Sequence, residues 1–206
     1  MATKAKDDIK ADIKTLKEDL KTGAREETQR LRDKAAEVGE WGRSLPDGVA
    51  QGIAVHKEYK GATACLVEID CRPETVNRTV RDAVTGPRVT KVVFAVDAGL
   101  VINPTGLEAQ MLGGVMDGIG LALTSSCHLE EGHFLEASWD NYFYTRQWNV
   151  PPEITVEIMP SDSEQPGGAG EAGVASSFAA IACASCSNVL MATKRARQLA
   201  KGADSL

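Results

Sequence analysis

Glu171 is a single carboxylate set among glycines in the run Gly167-Gly168-Ala169-Gly170-Glu171-Ala172-Gly173. A helix is predicted directly after it, so the carboxylate stands at a helix N-terminus, where the dipole favours negative charge. The glycines leave room for a substrate or cofactor to approach. Two roles fit this placing: a general base, or an acid that caps the helix. The run is not a Walker loop, because no Lys-Ser/Thr follows. It is not a dinucleotide fingerprint either, which needs a preceding strand and an acidic residue about twenty positions on.

A second glycine-rich stretch holds Gly106, Gly113, Gly114, Gly118 and Gly120. It falls in a predicted helix that starts at the cap Asn103-Pro104 and runs to about Leu123, with Leu107, Met111, Val115, Gly118 and Ala122 on one face. Each interior glycine costs a helix up to about 1 kcal/mol relative to alanine, so a neighbouring backbone or a ligand must come close. Cys183-Ala184-Ser185-Cys186 has the spacing of redox and zinc sites, yet His56, His128 and His133 form no second ligand pair. The two cysteines fall on or beside the apolar face expected of the last helix, where small buried residues belong, and no metal ligand is assigned. His128 and His133 flank a hairpin turn and read as solvent-exposed.

The elements that must carry these residues follow from periodicity. Residues 1–40 lack aromatics and show a thin helical stripe of Ile9, Ile13, Leu16 and Leu20, resumed by Leu31, Ala35 and Val38. They form a charged helical arm that suits a partner helix. From 41 on, strands are predicted over 52–59, 62–70, 88–96 and 154–158, with turn signals at Pro73, Asn77 and Gly86-Pro87. Short strands flank Glu131-Gly132, and the aromatic segment Trp139–Trp148 has two readings, the wall of a substrate funnel or core packing, of which packing is preferred since large aromatics mostly fill cores. The last helix, closed by Lys194-Arg195-Ala196-Arg197, would bury Ala175, Phe178, Ala182, Cys186 and Val189. The class is α+β, with an arm over 1–40 and one domain over 41–206.

Composition narrows the functions. The 206 residues, 43% hydrophobic and 25% charged, suit one soluble domain. No apolar run is long enough for a membrane span, and the charged N-terminus carries no export signal. Residues 1–40 are charge-balanced, so the net charge of −6 lies wholly in 41–206. Neither part offers the basic field that a nucleic-acid partner needs. Five cysteines are an odd number in a chain that is not cysteine-dense, which points to a reducing compartment and the cytoplasm.

Taken in order, several segments resemble the molybdenum-binding large subunit of the xanthine dehydrogenase family, in its isoquinoline 1-oxidoreductase β-subunit and aldehyde-oxidising branch. They are Gly48-Val49-Ala50-Gln51-Gly52, Val93 to Asp97 with Gly99 and Asn103-Pro104, Ala109-Gln110-Met111-Leu112-Gly113-Gly114, Met159-Pro160-Ser161-Asp162, and Pro166 to Gly173. The likeness runs from about Trp41 to Arg197; residues 1–40 share it only near their end. It departs from the family at Leu112, where an acidic residue is common.

The resemblance implies that Glu171 is the active-site base beside molybdenum, taking the proton from the attacking oxygen, that Gln110 contacts the pterin cofactor, and that Gly170 lies next to the base. It also implies molybdopterin, in its cytosine dinucleotide form, shared with a partner chain. The chain would be the C-terminal portion of the large subunit, a fragment or split subunit of a hydroxylase that oxidises an aldehyde or an N-heteroaromatic small molecule with water as oxygen source. Its partners would be the N-terminal part of the molybdenum subunit and a 2Fe–2S iron–sulfur subunit, and the assembly would be periplasmic only if a partner carries an export signal. The alternative is a non-catalytic remnant that acts as an interaction or structural protein through its helical arm.

Overall fold

The computed structural model describes residues 22–58, 61–80 and 85–203, with side chains through residue 188. The stripe from Ile9 to Leu20 lies outside the described residues. A helix over 22–38 (α1) comes first, followed by strands β1 (Val49–Glu58) and β2 (Gly61–Asp70), the short helix α2 (Pro73–Val76) and β3 (Arg88–Asp97). Next come α3 (Pro104–Ile119), a π-helical turn over Gly120–Thr124, the two-residue strands β4 (Leu129–Glu130) and β5 (His133–Phe134), β6 (Glu153–Ile158) and α4 (Ala172–Ala203). The α+β class holds. No helix among the described residues is long and apolar enough to cross a membrane.

The main sheet has the order β1-β2-β3-β6, antiparallel except for the parallel pair β3 and β6. Every residue of β2 is buried. Strand residues alternate between faces, so a strand buried throughout needs a layer on each side. Cys65, Val67, Ile69, Phe94 and Val96 pack with Leu107, Met111, Val115 and Ile181 from α3 and α4. On the other face Ala62, Ala64, Leu66, Val93 and Ala95 meet Leu31 and Ala35 of α1. The resumed part of the N-terminal stripe therefore finds its partner in this chain's own sheet.

The cap predicted for α3 is present: Gly106 N donates to Asn103 Oδ1 at 3.0 Å, with Pro104 opening the helix. Its buried face is Leu107, Met111, Val115, Gly118 and Ile119, close to the expected one. The expected face of α4 is overturned at three positions; Ala175 is half-buried, and the side chain of Val189 lies outside the described residues. Phe178 is 44% exposed and Ala182 and Cys186 are exposed, whereas Ser176, Ser177, Ala180, Ile181 and Ala184 are buried. Ser176 and Ser177 are buried without penalty because their hydroxyls donate to the Ala172 and Gly173 carbonyls at 3.0 and 2.7 Å.

At the end of β2, Asp70 accepts a forked pair from Arg72, Nε to Oδ1 at 3.0 Å and Nη2 to Oδ2 at 2.7 Å, and a bond from Thr75 Oγ1 at 2.9 Å. The guanidinium holds the Asp70 carboxyl down from 3.8 to about 2. Since the folded value is the depressed one, this contribution is complete above pH about 4 and is lost as the pH falls towards about 2. Asp70→Asn is expected to flatten that acid limb in urea unfolding curves recorded between those two pH values. Leu31→Ala, which empties the seat of α1 on the sheet, should lower unfolding stability by about 2–5 kcal/mol.

Candidate functional site

Three residues singled out in the sequence come together at the N-terminal end of α4. Gln110, on α3, donates from Nε2 to the Gly170 carbonyl at 2.9 Å, and Glu171 follows immediately. All three line one open cleft of about 1050 Å³. The loop that carries Gly170 is tied to the end of β3. Gly99 N donates to Asp97 Oδ1 at 3.0 Å, Leu100 N to the Gln165 carbonyl at 3.0 Å, and Gly167 N to the Ala98 carbonyl at 2.6 Å. Gly99 and Gly170 take φ of +67° and +48°, the left-handed region that glycine reaches without strain. From the other side, Thr63 of β2 donates to the Ala172 carbonyl at 3.2 Å and lies 3.1 Å from Ser176 Oγ.

The Glu171 carbonyl accepts from Val174 N at 2.9 Å and so begins α4. Its carboxylate has no hydrogen bond or ion pair among the described residues and caps nothing. It is exposed and borders both the main cleft and a second recess of about 410 Å³ lined by His56, Glu58, Leu121 and Phe178. This is an unspent acceptor with access to a ligand from two sides.

The glycines of α3 divide between the two explanations. A Cβ on Gly114 would lie 2.9 Å from Gly173 Cα, and one on Gly118 would lie 2.0 Å from Ser177 Oγ, so these two exist for contact with α4. Gly113 has nothing within 4 Å of its Cβ position and faces the cleft. There the bare backbone leaves space that a ligand can use.

The remaining wall is the aromatic segment. The assignment of Trp139–Trp148 to the core is overturned: Trp139 is 74% exposed, and Trp139, Tyr142 and Tyr144 line the cleft. The rings meet edge-on, Trp139 to Tyr142 at 6.0 Å and 71° and to Tyr144 at 5.8 Å and 90°. The segment shows neither a two-residue nor a helical period, and that lack of a buried face was the signal available in the sequence. Asp117 of α3 is a further cleft carboxylate that sequence reasoning missed.

The other motifs do not join the site. Cys183 and Cys186 are exposed rather than buried, and no cluster of metal-ligating side chains occurs among the described residues. His128 and His133 are exposed, as expected. Glu136 pairs with His128, accepting from its backbone N at 2.6 Å and lying 2.5 Å from Nδ1, and this bond holds the Glu136 carboxyl below its usual range.

A family model described as a molybdopterin cofactor-binding domain matches residues 3–151, a span that takes in the charged N-terminal segment and ends before Glu171. A nicotinate dehydrogenase subunit of Pseudomonas putida is 34% identical over 135 residues, which cover 66% of this chain and 11% of that protein. The beta subunit of isoquinoline 1-oxidoreductase from Brevundimonas diminuta is 30% identical over 135 residues, 64% of this chain and 16% of that protein. Among solved structures, quinoline 2-oxidoreductase from Pseudomonas putida superposes with a TM-score of 0.51 at 27% identity, covering 64% of this chain and 16% of that one. CO dehydrogenase from Oligotropha carboxidovorans gives the same TM-score at 19% identity, covering 60% of this chain and 15% of that one, and shares the fold. The chain thus spans only 11% and 16% of the length of these two curated relatives.

Gln110→Ala should free the Gly170 carbonyl. Hydrogen exchange of the 168–172 amides should quicken, while global stability falls by no more than about 1.5 kcal/mol, the net worth of one hydrogen bond.

Proposed function

The chain belongs to the molybdopterin cofactor-binding domains of the molybdenum hydroxylase large subunits, and from that premise we propose that its cleft is one side of such an enzyme's active site. In this reading the chain is the C-terminal fragment or split subunit of a hydroxylase for aldehydes or N-heteroaromatic compounds. The observation that carries the reading is the Gln110–Gly170 hydrogen bond, which sets an amide, a bare carbonyl loop and the Glu171 carboxylate on one cleft wall.

The residues present fit the cofactor. Gln110 uses one N–H on Gly170 and keeps its second N–H and its carbonyl oxygen for a pterin edge. Gly113 and Gly170 leave open space beside it, since a Cβ at either position would meet nothing within 4 Å. When bound, the molybdenum cofactor supplies the two-electron redox chemistry, with water as the source of oxygen. Glu171 does the proton work: its carboxylate, free of other partners and held at a fixed helix start, accepts the proton from the attacking oxygen. The Gln110 bond keeps the loop before Glu171 from swinging, which preserves the base's position.

Among the described residues, the cleft lining contains no lysine, arginine or histidine. The phosphates of a molybdopterin in its cytosine dinucleotide form need cationic or N–H donors. We therefore assign those contacts to a partner chain carrying the rest of the large subunit, with a 2Fe–2S subunit as the electron exit. The alternative of a non-catalytic interaction protein draws less support, because Leu31 and Ala35 of the arm are used in the chain's own core.

The test is co-production with the chain that supplies the remainder of the large subunit, followed by metal analysis and turnover. The complex should hold molybdenum, and Glu171→Gln should retain it while turnover falls by about 10²-fold or more. A complex without molybdenum, or a Glu171→Gln complex that turns over normally, would refute the assignment.

A further inference from the structure

The Glu171 side chain is exposed and has no hydrogen bond or ion pair among the described residues, so its backbone alone fixes where the carboxylate stands. The peptide groups on either side of it are tied to two different elements. Before it, the Gly170 carbonyl accepts from Gln110 Nε2 of α3 at 2.9 Å. After it, the Ala172 carbonyl accepts from Thr63 Oγ1 of β2 at 3.2 Å. A residue held on both sides has little freedom to carry its carboxylate away from a reacting atom.

The second tie comes from an apolar setting. Thr63 is 1% exposed and shares its face of β2 with Cys65, Val67 and Ile69, which pack with α3 and α4. A hydroxyl buried there costs free energy unless it is bonded. Its bond is not needed to satisfy α4, because Ser176 Oγ already donates to the Ala172 carbonyl at 3.0 Å. Thr63 Oγ1 lies 3.1 Å from Ser176 Oγ and 3.2 Å from that carbonyl, and it is the polar link from this pair to the sheet. What the hydroxyl adds is a fixed distance between a strand buried throughout and the first residue of α4.

We propose that Thr63 is a positioning residue for Glu171: with Gln110 it clamps the peptide groups on both sides of the carboxylate, so a buried hydroxyl outside the main cleft sets the place of the base within it. The proposal rests on the reading of Glu171 as the base. Thr63 does not line the main cleft, and it acts through the Ala172 carbonyl.

The clamp is tested first in the full chain, without cofactor. Val174 N and Ala175 N donate to the Glu171 carbonyl at 2.9 and 3.4 Å, so hydrogen exchange of these two amides reports how firmly Glu171 is held. Thr63→Val removes the hydroxyl at nearly constant volume and should speed their exchange about threefold to tenfold, the worth of one hydrogen bond, while the Ile181 and Ala184 amides further along α4 keep their rates. Thr63→Ala should do the same, which separates loss of the bond from crowding of a methyl against the carbonyl. Thr63→Ser keeps the hydroxyl and should restore the original exchange. Ser176→Ala leaves Thr63 within reach of the Ala172 carbonyl and should change the rates by less than about twofold.

Turnover is then measured in the complex with the chain that supplies the remainder of the large subunit. Thr63→Val should lower kcat about tenfold at unchanged KM and molybdenum content, and Thr63→Ser should recover it. Val89→Ala, a core truncation at the opposite end of β3 from Asp97, should leave kcat in place. The proposal is overturned if either Thr63→Val or Thr63→Ala leaves the Val174 and Ala175 amides at their original rates, if exchange quickens evenly along α4, if Thr63→Ser fails to restore it, if Ser176→Ala loosens these amides as much, or if kcat is unchanged in Thr63→Val. An unsubstituted complex without turnover refutes the enzymatic reading alone, and the exchange rates still decide the clamp.

Discussion

At Gly114 and Gly173 the backbones of α3 and α4 meet with no side chain between them, and a single carbon added to Gly114 would lie 2.9 Å from Gly173 Cα. The next turn repeats the contact, where Gly118 leaves space for the Ser177 hydroxyl. Glycine in a helix costs up to about 1 kcal/mol per position, and here the cost is offset by packing and by Ser177 Oγ, which donates to the Gly173 carbonyl at 2.7 Å and reaches the Gly114 carbonyl at 3.3 Å. The register of this contact decides the site. One turn before Gly114 stands Gln110, and three residues before Gly173 stands Gly170, so only helices this close bring that amide and that carbonyl to 2.9 Å. A larger residue at Gly114 would separate the helices and part them.

The helix pair in turn needs a platform that does not move. Strand β2 provides it because both of its faces are covered, one by α3 and α4 and the other by α1. Thr63 couples the two levels: it lies on the face of β2 that meets α4, and its hydroxyl donates to the Ala172 carbonyl beside Glu171. The carboxylate is therefore placed by a chain of contacts that runs from the buried strand through a hydroxyl to the first turn of α4. Removing α1 would expose the far face of the strand that carries this anchor, so a helix remote from the cleft still bears on the position of Glu171.

Much of this was legible in the sequence, for reasons that differ by element. The β-rich segment 62–70 of β2 and the Asn103-Pro104 start of α3 are local signals that the strand and the cap reproduce. The face of α4 was not legible, because Ser176 and Ser177 count as polar in any periodicity argument, while in the fold their hydroxyls are satisfied by carbonyls one turn back and they pack like small apolar residues. Assigning Phe178 to the interior followed from that miscount. The aromatic segment failed in the opposite sense: its residues belong in a core by type, and only the lack of any period hinted that they line a cleft instead. Glu171 and Gln110 were found by motif, but their proximity depends on the α3–α4 contact, which joins residues 60 apart in sequence and has no local signature.

The two walls of the cleft differ in how they are built, and that difference bears on what each can do. Gln110, Gly113 and Asp117 are on α3, and Glu171 opens α4, so the groups suited to proton transfer and cofactor contact ride on elements locked to the sheet. Trp139, Tyr142 and Tyr144 lie on an irregular segment joined to the rest by a few side-chain bonds, Thr145 to Met116 and Thr124 and Ser125 to Phe143. A change of residue in that segment alters the surface of that wall without shifting Glu171, because no contact that positions Glu171 passes through it. The reverse does not hold, since separating α3 from α4 would move both the Met116 tether and Gln110. The aromatic wall can therefore vary over a fixed opposite wall, the general arrangement in which a loop carries variation while the packed scaffold keeps its geometry.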